Sequence, residues 1–190
     1  MAQPKPRLKF TVNDYMTTPP GRRYQLLNGE MILLEGGTDM APAPSDKHQS
    51  IVVELVAALH KFVTEQRLGQ VRVSPYDVVL SEYDVVQPDL LYVSEDRRSI
   101  ITEANIQGAP DLVVEVLSPS SVQYDRGYKR TLYGRHGVRE YWLVDPEAET
   151  IEVLARTGRG LGLRATYRRG ETLTSPLLAG LTLELDQIFG

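Results

Sequence analysis

An α/β fold, with a mixed and mostly buried central sheet flanked by helices and carrying β-hairpins at both ends, is what the 190-residue sequence predicts. Three apolar runs are the first reason: Leu90 to Val93, Leu112 to Leu117 and Tyr141 to Val144. Each is short for a helix and too continuously apolar for a strand with one wet face, so each suits a strand covered on both faces. The second reason is a long amphipathic helix over about 46–68, where Ile51, Leu55, Leu59 and Phe62 recur at three- and four-residue steps with Val52, Val56 and Val63 beside them. The third is a charged segment, Tyr124 to His136, set between the last two apolar runs and stopped by Gly137, which completes a strand, helix, strand unit.

Length and composition bound the reading further. The chain fits one domain with an ordinary core, read as an N-terminal arm over residues 1–20 and a single domain over residues 21–190. It has no Cys, which excludes disulfides, thiolate zinc sites and a cysteine nucleophile; His48, His60 and His136 are its three imidazoles. A formal net charge of −4 argues against a generally basic nucleic-acid binder, so any contact with a polyanion must come from a local patch. The first residues, MAQPKPRLKF, lack the apolar core of a signal peptide, and no later stretch is long and apolar enough to span a bilayer. No membrane partner and a soluble, cytoplasmic protein are therefore expected.

Taking the elements in order, Asn28-Gly29 between Tyr24 to Leu27 and Met31 to Leu34 predicts a type I′ hairpin. Glu30 opens its second strand, either as a solvent-facing edge carboxylate or as an auxiliary acid. Gly36 to Pro44 reads as a loop, and Ser45 or Asp46 is placed to cap the long helix. His48, in the first turn of that helix, shares a face with Val52 and Leu55; it is a surface or capping residue or an auxiliary site group. Two β-branched runs about Ser81-Glu82-Tyr83-Asp84 predict a strand pair, and Asp89 stands behind Pro88 at the start of the Leu90 run. Ser94 to Gly108 reads as a surface connection with a short helix around Ile100 to Ile106. Ser118-Pro119-Ser120-Ser121 breaks the chain before the charged helix. After it, Tyr141 to Val144 and Thr150 to Leu154 form a hairpin about Asp145 to Ala148, with Trp142 as a core anchor. Arg164 to Tyr167, Leu173 to Ser175 and Leu181 to Leu185 are strands of scaffold or subunit contact, which makes a homodimer possible.

Glu115 is the interruption that matters. A carboxylate inside a run of Val and Leu is costly to desolvate unless a cation meets it, and a metal ion, a Lys or an Arg would serve. Adjacent strands lie about 4.8 Å apart, so Asp89 and Glu115 at matching heights on one face can jointly hold Mg²⁺, whose oxygen ligands sit near ~2.1 Å. Asp111 is a poor substitute, lying roughly 13 Å from Glu115 along an extended strand. On the charged helix Asp125, Lys129 and Leu132 share one face, while Arg126, Arg130 and Arg135 add positive charge. By itself that pattern describes a solvated helix with an Asp-to-Lys pair.

Taken together, the segments YQLLNGE, VVQPDLLYVS, GAPDLVVEVLSPSS, DRGYKRTLYGRHGVREYWLVDP and LTSPLLAGLTLELDQIF resemble the PD-(D/E)XK nuclease superfamily, and within it the Uma-type endonucleases, formerly a domain of unknown function. The resemblance runs from about Tyr24 to Phe189. It implies a restriction-endonuclease-like fold and hydrolysis of a nucleic acid, expected to be DNA, with Mg²⁺ (or Mn²⁺) held by Asp89, Glu115 and the backbone carbonyl of Val116. The superfamily's lysine stands two residues after the acid, where this chain has Leu117; the Uma-type proteins carry it on the following helix, which maps onto Lys129. Glu30, His48 and Asp125 become candidate auxiliaries, and Arg126 and Arg130 candidate contacts to flanking phosphates. The hairpin segment of these proteins usually reads Tyr-Glu-Leu, whereas Gln25 stands here. The alternative reading is a catalytically inactive module of the same fold that binds DNA or serves assembly.

Overall fold

The computed structural model describes residues 8–19, 23–34 and 45–190. The expected loop Gly36 to Pro44 lies outside the described residues, as does most of the basic start of the arm. The described part of that arm is packed. Helix α1 (Val12–Met16) has a reciprocal Thr11 and Asp14 capping box, and buried Tyr15 donates its hydroxyl to Asp77 at 2.8 Å.

Strands β1 (Tyr24–Leu27) and β2 (Glu30–Leu33) form the expected hairpin, with Asn28 at φ 51° and Gly29 at φ 79°, the paired positive angles a type I′ turn requires. Helix α2 (Asp46–Glu65) starts at Ser45, whose hydroxyl accepts the N–H of His48. Then come β3 (Gly69–Val73), β4 (Val78–Ser81), β5 (Asp84–Val86) and β6 (Leu90–Ser94). The connection after β6 differs from expectation: the helical turn is a 3₁₀ segment at Glu95–Ile100, and Ile106 lies instead in a short strand, β7 (Ile106–Gln107). Glu95 and Asp96 at that segment's start favour an earlier first turn, while Ile106 is drawn into the core beside Val78.

Strand β8 (Leu112–Val116) precedes a π-helical turn, Tyr124–Lys129, which runs into α3 (Arg130–His136); Gly137 ends it at φ 100°. Strands β9 (Glu140–Asp145), β10 (Thr150–Thr157) and β11 (Gly160–Arg168) follow, then β12 (Thr172–Thr174), β13 (Thr182–Glu184) and α4 (Leu185–Ile188).

The central sheet is mixed, in the order β11-β10-β9-β8-β6-β3, with β8 and β9 parallel and the other neighbours antiparallel. One face, with Leu90, Val114 and Trp142, packs on Ile51, Leu55 and Leu59 of α2 and on the C-terminal elements. On the opposite face, Leu91, Val113 and Leu143 meet Leu132 and Tyr133 of α3. Leu27, Val78 and Val86 join this second core from a five-stranded sheet of order β2-β1-β5-β4-β7. Glu140, fully buried on the α2 side, accepts from Trp142 Nε1 at 2.6 Å, Ser175 Oγ at 2.8 Å and the Leu177 N–H at 2.8 Å, which ties the C-terminal elements to the sheet. No helix among the described residues is long and apolar enough to cross a membrane.

Candidate active site

The strand register decides where the two acids go. Leu91 pairs with Val113 and Leu90 with Val114, and continuing that register by one residue sets Asp89 opposite Glu115. Opposed residues of an antiparallel pair share a face, here the α3 face with Leu91 and Val113. The ladder between β6 and β8 stops at this point, and the Val116 N–H is donated to Asp89 Oδ2 at 2.7 Å. A cavity of about 260 Å³ lies over these residues, lined by Asp89, Glu115, Val116 and Lys129 together with Gln25 and His48.

The charged helix meets this face through its π turn. A wider turn carries one extra residue, and it brings Asp125, Lys129 and Tyr133, four residues apart, to bear on Glu115. Lys129 Nζ lies 2.9 Å from Glu115 Oε1 and 2.9 Å from Asp125 Oδ1. Tyr133 donates its hydroxyl to the same Glu115 oxygen at 2.7 Å, and Tyr141 donates to the Asp125 carbonyl at 3.1 Å. All of these side chains are buried. Tyr133 carried no polar signal in the sequence, because an aromatic residue inside a helix reads as core.

Burial pushes the Glu115 carboxyl up to about 8, against the opposing pull of the Lys129 charge. Burial would also push the Lys129 ammonium down, but Glu115 and Asp125 outweigh it and hold the group above its ordinary value. Lys129 therefore keeps its proton near neutral pH, and its chemistry is that of a fixed positive charge and donor rather than a base.

Other candidates fall in different places. His48 lines the cavity, its Nε2 at 3.5 Å from Asp89 Oδ2. Glu30 is exposed on β2 and does not line the cavity. Arg126 meets Glu152 at 2.7 Å and Asp145 at 3.7 Å, and Arg130 donates from Nε and Nη2 to the Leu161 carbonyl; neither lines the cavity. Asp111 is engaged elsewhere, accepting the Ser94 N–H at 2.8 Å and pairing with Arg97 at 3.0 Å. Gln25 is a group that sequence reasoning noted without a role: it is buried, it lines the cavity, and its Oε1 has no hydrogen-bond partner among the described residues.

The donor chemistry suits a hard cation. Lys129 and Tyr133 meet Glu115 at Oε1, and the Val116 N–H and His48 meet Asp89 at Oδ2, while both acids line the cavity. With the Val116 carbonyl these make an all-oxygen set, the kind Mg²⁺ prefers. No group of three or more His, Asp or Glu side chains converges among the described residues, so such an ion would be completed by water and substrate oxygens.

Comparisons with known proteins agree with this architecture. A solved structure described as a putative nuclease belonging to DUF820, from Anabaena variabilis, superposes with a TM-score of 0.75 over 95% of this chain and 97% of that one, at 22% identity. An uncharacterized protein of Synechocystis sp. is 36% identical over 81 residues, a match that covers 42% of this chain and 42% of its own length. Residues 12–186 match the Uma2 family, described as putative restriction endonuclease, and the chain belongs to that family.

Proposed function

We propose that this protein hydrolyses phosphodiester bonds of DNA, with a divalent cation held by Asp89, Glu115 and the carbonyl of Val116. The observation that carries the reading is the meeting of two opposed carboxylates with a buried ammonium at the foot of one cavity. Bound Mg²⁺ (or Mn²⁺) would supply Lewis-acid polarisation of the phosphoryl oxygen and acidify the attacking water. The chain's own groups set the stage for it. The Val116 N–H fixes the Asp89 carboxylate, and Tyr133 and Lys129 fix that of Glu115. Lys129 offsets negative charge that grows on the phosphoryl oxygens in the transition state and orients the water by donation. His48 and Asp125 act through Asp89 and Lys129 respectively, as positioning groups.

One observation favours the second reading, an inactive module that binds DNA: no three acidic or histidine side chains converge among the described residues. The two separate in one experiment. Supercoiled, linear and single-stranded DNA are incubated with wild type and Glu115→Gln in Mn²⁺, Mg²⁺ or EDTA, and Mn²⁺ binding is followed by calorimetry. Cleavage and binding heat that need both metal and Glu115 support the enzyme; DNA binding without either supports the module.

A further inference from the structure

We infer that a second, shallow groove on the outer side of α3 is a docking surface for the sugar-phosphate backbone of the DNA duplex that flanks the cleavage site. The inference rests on the nuclease reading above and extends it to a surface outside the cavity. The groove holds about 420 Å³ between α3 and the hairpin of β10 and β11. Arg130, Arg135, Arg156 and Arg159 line it, and no acidic residue does.

None of these four arginines forms an ion pair among the described residues, whereas Arg97, Arg98, Arg126, Arg139 and Arg169 each meet a carboxylate. In a chain of net charge −4, four exposed and uncompensated guanidinium groups on one concavity are a concentrated positive field.

The arrangement is built by the fold. Gly134 permits the close approach of α3 to β11, since a Cβ there would meet the Leu161 backbone nitrogen at 3.1 Å. Arg130 is aimed by its two bonds to the Leu161 carbonyl. The turn that presents Arg159 is fixed by Thr157, whose hydroxyl donates to the Gly160 carbonyl and accepts the Arg159 N–H. Arg130 and Arg135 lie five positions apart, roughly 7.5 Å along the helix. That spread suits a run of phosphates better than a single compact anion, and the guanidinium fork matches phosphate oxygens two at a time. Lys129 and Arg130 are consecutive, so one helix faces the cavity with the first and the groove with the second.

Binding of a fluorescent DNA duplex is measured by anisotropy in EDTA, where nothing is cleaved, over a range of salt. The comparison is between wild type and R135E/R159E. Each phosphate contact contributes about 0.9 to the slope of log affinity against log salt. The double variant should therefore lose about 2 from that slope and bind at least roughly tenfold more weakly at low salt. Circular dichroism checks folding, and R135Q/R159Q replaces the variant if charge reversal unfolds it.

Wild-type affinity and slope in the folded variant, or no DNA binding by wild type at any salt, overturns the proposal. So does displacement of the duplex by polyglutamate as readily as by unlabelled DNA, which would make the groove a general polyanion site. Arginine-dependent binding by a protein that never cleaves DNA in Mn²⁺ upholds the groove and sinks only the nuclease reading.

Discussion

Lys129 Nζ and Glu115 Oε1 lie 2.9 Å apart with side-chain exposures of 4% and 5%, so the helix and the sheet are joined by a dry charge-assisted hydrogen bond that becomes a full ion pair as Glu115 ionises near pH 8. A surface lysine can be removed for well under ~1 kcal/mol, and this one cannot. Removing one member of a buried pair costs about 3–5 kcal/mol, with Lys129→Ala toward the lower end because Glu115 can take up a proton. Cleavage by Lys129→Ala should fall by ~10²-fold or more. Lys129→Arg should restore little of it, because a planar fork does not fit a site shaped for a compact ammonium. Urea unfolding and single-turnover cleavage of the two variants check both parts. Wild-type turnover in Lys129→Ala would remove the lysine from the mechanism.

Glu115 makes stability depend on pH with a definite sign. Its carboxyl titrates near 8 when folded and near 4.5 in the open chain, so the folded state holds the extra proton between those values. Its contribution is fully present below about 4.5 and is lost as pH rises through about 8. Glu115→Gln should flatten that part of the curve, gaining on wild type as pH rises, and urea midpoints at several pH values measure it. Cleavage should run the other way, rising toward pH 8 as the carboxylate ionises, with the midpoint moving down as Mg²⁺ concentration rises.

Tyr133→Phe removes one donor to Glu115 and nothing else that the structure shows. The lost bond is worth about 1 kcal/mol of stability. Because that donor favours the ionised acid, its removal should shift the rising limb of the pH profile to higher pH, which a merely structural tyrosine would not do. The profile at fixed Mg²⁺ distinguishes the two.

Gln25 offers a different trade. Its buried carbonyl oxygen has no hydrogen-bond partner among the described residues, so Gln25→Leu should stabilise the free protein by about 1–2 kcal/mol. If its amide serves the substrate or the water around it, cleavage should drop in the same variant. A more stable protein with undiminished cleavage would show that Gln25 is only a packing residue.

Two features are legible from residue types alone, while the choice of Lys129 among its basic neighbours needs the family resemblance. Glu115 stood out because a carboxylate in an apolar strand needs a cation, and Asn28-Gly29 fixed a hairpin because few dipeptides accept two positive φ angles. What stayed hidden depends on distant pairings. The second sheet joins β1 to β5 and β4 to β7 through as few as one or two residue pairs, and no local pattern encodes such contacts. The contact of Tyr133 with Glu115 and the place of Gln25 in the cavity lining are hidden for another reason, since an aromatic or amide side chain has the same local signature whether it serves a site or fills a core. The burial of Lys129 also escaped, because helical spacing gives a face but not the element that covers it.

The π turn at Tyr124–Lys129 makes helix winding a determinant of the site in its own right. In a continuous α-helix, residues eight positions apart such as Asp125 and Tyr133 are turned roughly 80° from one another, and the wider turn removes much of that offset. Substitutions that let the segment wind as an ordinary α-helix at unchanged length would turn Asp125 away from the face that carries Tyr133, although every amino acid of the cluster would still be present. The winding of this turn, as much as residue identity, is what descendants of this sequence would have to preserve.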